Sequence, residues 1–181
     1  YPGEITIAAT PSDTVLSDAQ LAKMEFLNCS RRNASNVWSL YYNMPSYYEL
    51  NGPQMTSAAG LEKMTGLKAF VLEGHNLTSI DLSKNTKLTE LVLGQNNLSE
   101  VDLSKNTKLT HVGVHENLTT FNEPTLTELS ILNLQGNQLT SIDVSNNKKL
   151  GSLFLNNGNR GLKNIDLSQN KQLRTISIDF E

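Results

Sequence analysis

Apolar residues recur through most of this chain at a period of about 21 residues. Aligned on Leu67, Leu88, Leu109, Leu129, Leu150 and Leu173, the units start 21, 21, 20, 21 and 23 residues apart. The clearest unit runs Leu88, Leu91, Leu93, Asn96, Leu98, and Leu129, Leu132, Leu134, Asn137 and Leu139 repeat it without error. One such turn cannot bury its own apolar face, so a chain with this period stacks its turns and buries the leucines together. A disordered Asn-rich tract would not hold apolar residues in register through five turns.

The remaining units vary the theme. Leu109, Val112, Val114 and Asn117 follow it and then lose one residue before Leu118. Leu150, Leu153 and Leu155 begin it and then gain two residues within 156–161. The opening unit has Leu67, Phe70, Leu72 and Leu77, with His75 where Asn belongs. Within each unit the second half imitates the first: Leu98, Val101, Leu103 and Asn106 lie ten residues after Leu88, Leu91, Leu93 and Asn96. The period-2 apolar pair in each half predicts a short strand on each side of a flattened coil, so that short strands or turns lie opposite the main sheet. In the third unit Asn122, Glu123 and Pro124 replace the Asp-Leu-Ser run, which speaks against a regular second strand there. The corner asparagines are expected to point inward, because an amide carries both a donor and an acceptor for backbone groups that a bend leaves unpaired.

This architecture explains the composition. Of 181 residues, 28 are Leu and 21 Asn, while only 18% are charged and the net charge is −3. The balance excludes a nucleic-acid footprint, no apolar run is long enough for a membrane span, and one cysteine cannot make a disulfide framework. Cys29 reads as a half-buried structural thiol. A chain opening on Tyr1 reads as a processed or excised product.

The stretches Leu77-Thr78-Ser79-Ile80-Asp81-Leu82-Ser83-Lys84-Asn85 and Leu139-Thr140-Ser141-Ile142-Asp143-Val144-Ser145 resemble bacterial leucine-rich repeat surface proteins with short repeats, and more distantly the internalins. The resemblance covers residues 67–181. It implies an α/β-type leucine-rich repeat solenoid with parallel strands on the concave face. It also implies a non-catalytic binding scaffold, secreted or attached to the cell surface.

Residues 1–66 do not share the period and read as a small mixed N-terminal cap. Ile5 and Ile7 suggest a short strand. Ser17 and Gln20 form a capping box, with Leu16 and Leu21 as a hydrophobic staple, so a helix is expected over 18–28 with Leu21, Met24 and Leu27 on its inner face. Trp38, Tyr41, Tyr42, Tyr47 and Tyr48 concentrate aromatic area that suits either a cap over the first turn or a stacking site for a sugar or protein. A second short helix is expected over 57–65, ended by Gly66.

The outward residues of the strands should form three columns on the concave face, and these supply the candidate ligand-binding residues: Val71, Glu73, Glu90, Val92, His111, His115, Asn133, Gln135, Phe154 and Asn156. The face is mixed and weakly charged, which suits a protein or glycan ligand. His111 and His115 share it, but four residues along a strand span ~13 Å, too far to hold one ion together. Asp81, Asp102, Asp143 and Asp166 stack on the opposite side as a solvated ladder beside Lys84, Lys87, Lys105, Lys108 and Lys149. No metal site, cofactor or catalytic constellation is expected: the nucleophile-elbow, phosphate-loop and metalloprotease motifs are all missing. The strand around Ile176 and Ile178 could form an edge for weak self-association.

Overall fold

A computed structural model describes residues 17–29, 54–116 and 118–179. Seven three-residue strands form one parallel sheet in strict chain order: β1 (Phe26–Asn28), β2 (Ala69–Val71), β3 (Glu90–Val92), β4 (His111–Gly113), β5 (Ile131–Asn133), β6 (Ser152–Phe154) and β7 (Thr175–Ser177). The register advances by one whole repeat at each step. Phe70 pairs with Leu91, Leu91 with Val112, Val112 with Leu132 and Leu132 with Leu153. These central residues point inward and are at most 2% exposed. Each buried leucine contributes roughly 1.5–3 kcal/mol relative to exposure, and the leucines of adjacent turns form one continuous core.

Asparagine ladders run along the two corners of the coil. After the strand, the Asn137 amide donates to Val114 O at 2.7 Å and Leu134 O at 2.9 Å, while its Oδ1 accepts from Leu118 N at 2.9 Å. In the fifth turn, which carries the two-residue insertion, Asn159 takes this place. It donates to Leu134 O and Leu155 O and accepts from Leu139 N. His75 does the same work in the first turn. Its Nδ1 accepts from Met55 N at 3.1 Å, and Nε2 lies 2.6 Å from Cys29 O.

The second corner is held by Asn85, Asn106, Asn147 and Asn170, each donating to carbonyls of the preceding turn. Leu126 interrupts this column and is fully buried. In the same turn Glu123 occupies an otherwise apolar site, where its Oε1 accepts from Leu103 N at 3.0 Å.

Turns, rather than short strands, form the side opposite the sheet. The reason lies in local hydrogen bonding. Asp81, Asp102, Asp143 and Asp166 each accept from the backbone N–H two residues on, and Asn85 N and Leu88 N bond back to Leu82 O and Asn85 O. Backbone groups committed to such turns are not free for a sheet ladder.

The segment before the repeats corrects two expectations. The helix expected over 18–28 is a single turn, α1 (Asp18–Leu21), capped by Ser17 and Gln20 as anticipated. Residues 26–28 instead form β1, because the open edge of β2 offers unpaired backbone groups: Lys68 N and Ala69 N both donate to Glu25 O. Met24 is still buried, and Leu21 and Leu27 still pack on the core, so the apolar spacing was right and its geometry was not. The helix expected over 57–65 shrinks to a 3-10 turn at Leu61–Lys63. Gly66 passes against Ala22 and Met24, where an added Cβ would lie 2.5 Å and 2.9 Å from their carbonyl oxygens. The strand expected near Ile5 and the aromatic group Trp38, Tyr41, Tyr42, Tyr47 and Tyr48 lie outside the described residues.

Candidate ligand-binding face

Alternation along each strand sends the residues on either side of the buried central one outward. The register therefore lines up Ala69, Glu90, His111, Ile131, Ser152 and Thr175 in a first column. Val71, Val92, Gly113, Asn133, Phe154 and Ser177 make a second. Two residues further along lie Glu73, Gly94, His115, Gln135, Asn156 and Asp179. None of these eighteen residues is a lysine or arginine.

The three columns are unequally accessible. Along the first, the side chains from Ala69 to Ser152 are half-buried and Thr175 is exposed. In the other two, Val71, Glu73, Val92, His115 and Asn133 are buried, whereas Gln135, Phe154 and Asn156 are half-buried. Of the ten candidate residues, Glu90, His111, Gln135, Phe154 and Asn156 thus present surface, and the other five support it from beneath. Val71 and Val92 pack together with Ile131, a half-buried residue that the candidate set did not include. Its place in the first column is legible from the repeat, between His111 and Ser152. The Gln135 amide donates to Asn156 Oδ1 at 2.8 Å, and the Asn157 backbone N–H donates to Asp179 Oδ2 at 2.6 Å. These bonds fix the polar part of the face in the fourth to sixth turns.

Burial sets the electrostatics. Desolvation raises Glu90 above the usual carboxylate range and lowers His111 below the usual imidazole range. It pushes Glu73 up to about 7, helped by the charge of Glu116, and His115 down to about 4. At neutral pH both imidazoles are uncharged.

One arrangement resembles a hydroxyl–imidazole couple: Thr110 Oγ1 lies 2.8 Å from His111 Nδ1. That hydroxyl also donates to Thr89 O at 3.0 Å, so its proton is committed to the backbone. Among the described residues, no group of three His, Cys, Asp or Glu could hold a metal ion. Cys29 is half-buried, and burial raises its thiol pKa.

Neither a scan against protein-family models nor a search of curated proteins finds a match. Solved structures do match. The functional domain of InlJ from Listeria monocytogenes, described as including a cysteine ladder, superposes with a TM-score of 0.75 at 32% identity over 91% of this chain. This chain folds as a leucine-rich repeat solenoid. An internalin from the same organism, InlF, matches with a TM-score of 0.62 at 20% identity over 90% of the chain, which speaks to the fold alone. The leucine-rich repeat chain spans 32% of the InlJ chain and 50% of the InlF chain. With a single cysteine this chain has no cysteine ladder. Among the described residues no helix is long and apolar enough to cross a membrane.

Proposed function

We propose that this leucine-rich repeat chain is a non-catalytic scaffold that recognises a protein, or a glycan, through its concave face. The observation that carries the reading is the half-buried strip of Glu90, His111, Ile131, Gln135, Phe154 and Asn156. It mixes apolar area with rigidly held hydrogen-bonding groups and stands on a continuous sheet. Such a mixture suits recognition, where a few apolar anchors provide affinity and polar groups set orientation. The likeness to InlJ of Listeria monocytogenes supports a bacterial, extracytoplasmic setting, secreted or on the cell surface. The test is to screen the chain on arrays of extracellular proteins and glycans, then repeat any hit with Phe154→Ala, His111→Ala and Gln135→Ala. Those changes should each weaken binding by tenfold or more, whereas Lys105→Glu on the opposite side should leave it intact. The reverse pattern would move the site off this face.

A further inference from the structure

Glu73 and His115 stand two turns apart in the third column, with Gly94 between them. Glu73 is 4% exposed and His115 9%, and Glu73 Oε1 lies 3.9 Å from His115 Nδ1. That separation is beyond hydrogen-bond reach. His115 Nε2 is buried without a hydrogen-bond partner. A Cβ added at Gly94 would sit 2.8 Å from both Glu73 Oε1 and His115 Nδ1, so a glycine is what lets the two groups face each other across the intervening turn.

Their titratable surroundings are Glu116 on the same bend as His115, Glu90 and His111 on β3 and β4, and His75 and Cys29 on the N-terminal side. Among the described residues no lysine or arginine pairs with Glu73, and Lys63, Lys68 and Lys149 bind Asp18, Glu25 and Glu128 elsewhere. A buried ion without a partner is strongly disfavoured. Each group is therefore driven toward its neutral form, and both can be neutral together only if the carboxyl holds a proton that the imidazole gives up.

We propose that Glu73 and His115 fold as a one-proton pair: the proton carried by the imidazole in the unfolded chain resides on the carboxyl in the folded one, with no net uptake or release. This keeps the buried centre of the concave face uncharged in mildly acid conditions. It also hides the pH dependence that each group would show alone. Glu73, raised from 4.5 to about 7, by itself weakens folding as pH rises between those values. His115, lowered from 6.5 to about 4, by itself weakens folding as pH falls between them. From pH 4.5 to 6.5 the two slopes oppose each other and cancel.

The test is chemical unfolding of the whole chain at pH 4.5 and 6.5, for the unsubstituted protein, Glu73→Gln, His115→Gln and the double substitution. Relative to the unsubstituted protein, the unfolding constant of Glu73→Gln should fall roughly 40-fold between the two pH values, and that of His115→Gln should rise roughly 40-fold. The double substitution should track the unsubstituted chain. Single substitutions that both track it, or that shift in the same direction, overturn the proposal. Should a substituted chain not fold, ring-nitrogen NMR of His115 in the unsubstituted protein at pH 5.5 decides alone. A neutral imidazole supports the pair, and an imidazolium overturns it.

Discussion

The side-chain amide of Asn106 donates to the backbone carbonyl of Asn85 at 3.0 Å, binding one ladder asparagine to the backbone of the ladder residue one turn earlier. The two corners differ in how fully such amides are used. Asn137 is satisfied at both ends of its side chain, whereas Asn106 Oδ1 finds no partner. Leu126 already stands in the second column and leaves its local turn intact, since Leu126 N still bonds to Glu123 O and Leu129 N to Leu126 O. Asn137→Ala should therefore cost ~2–4 kcal/mol, by leaving buried carbonyls and an N–H unpaired. Asn106→Leu should cost clearly less. Urea unfolding of both variants checks the order.

A hydroxyl ladder runs beside the first column. Thr89, Thr110 and Ser130 each donate to the carbonyl one turn back, at 3.0 Å in every case. Gly151 breaks it. A Cβ there would meet Ser130 O at 3.6 Å and Gln172 O at 3.8 Å, ordinary contact distances. Gly151→Thr should extend the ladder and stabilise the fold by about 1 kcal/mol, through the added bond and the loss of glycine's unfolded-state freedom. Gly151→Ala should gain only part of this, which thermal unfolding of the two variants can resolve.

The bend after each of β2 to β6 uses a left-handed residue: Gly74, Gln95, Glu116, Gly136 and Asn157, with φ between 53° and 77°. Glutamine and glutamate carry a steric penalty there that glycine does not. Gln95→Gly should raise stability by about 1 kcal/mol. Gly136→Ala should lower it, because its Cβ would also approach Glu116 Cγ to 3.2 Å. Melting temperatures should move in opposite directions.

The exposed Asp81, Asp102, Asp143 and Asp166 carboxylates accept bonds from serine backbone and side-chain groups, which lowers each below its ordinary value. A carboxylate lowered on folding stabilises the protein above its unfolded pKa, and that support fades as pH falls through the folded value. Stability should therefore decline in acid. Asp143→Asn, which keeps an acceptor but cannot titrate, should flatten the decline in a pH series of thermal melts.

The period and the identity of the corner residues made the sheet, its register and the core legible in advance, because each inward position recurs with a fixed offset from its neighbour. The segment before Leu67 was harder for a physical reason. Leu21, Met24 and Leu27 satisfy a helical face, but the choice between helix and strand was settled by the open edge of β2, a partner more than forty residues away. Outward direction at Val71, Val92 and Asn133 followed from alternation. Their burial did not, since it depends on the neighbours that crowd each side chain. The pairing of Glu73 with His115 was hidden because it spans two repeats and needs the gap at Gly94.

The break at Leu126 has a mechanical consequence. Lateral bonds in this stack join each turn to its immediate neighbours, so cooperativity passes along it like closure along a zipper. The turn with Leu126 in place of an amide is the weakest tooth. Partial opening should divide the molecule there, with the turns on either side exchanging their amide hydrogens as two separate blocks.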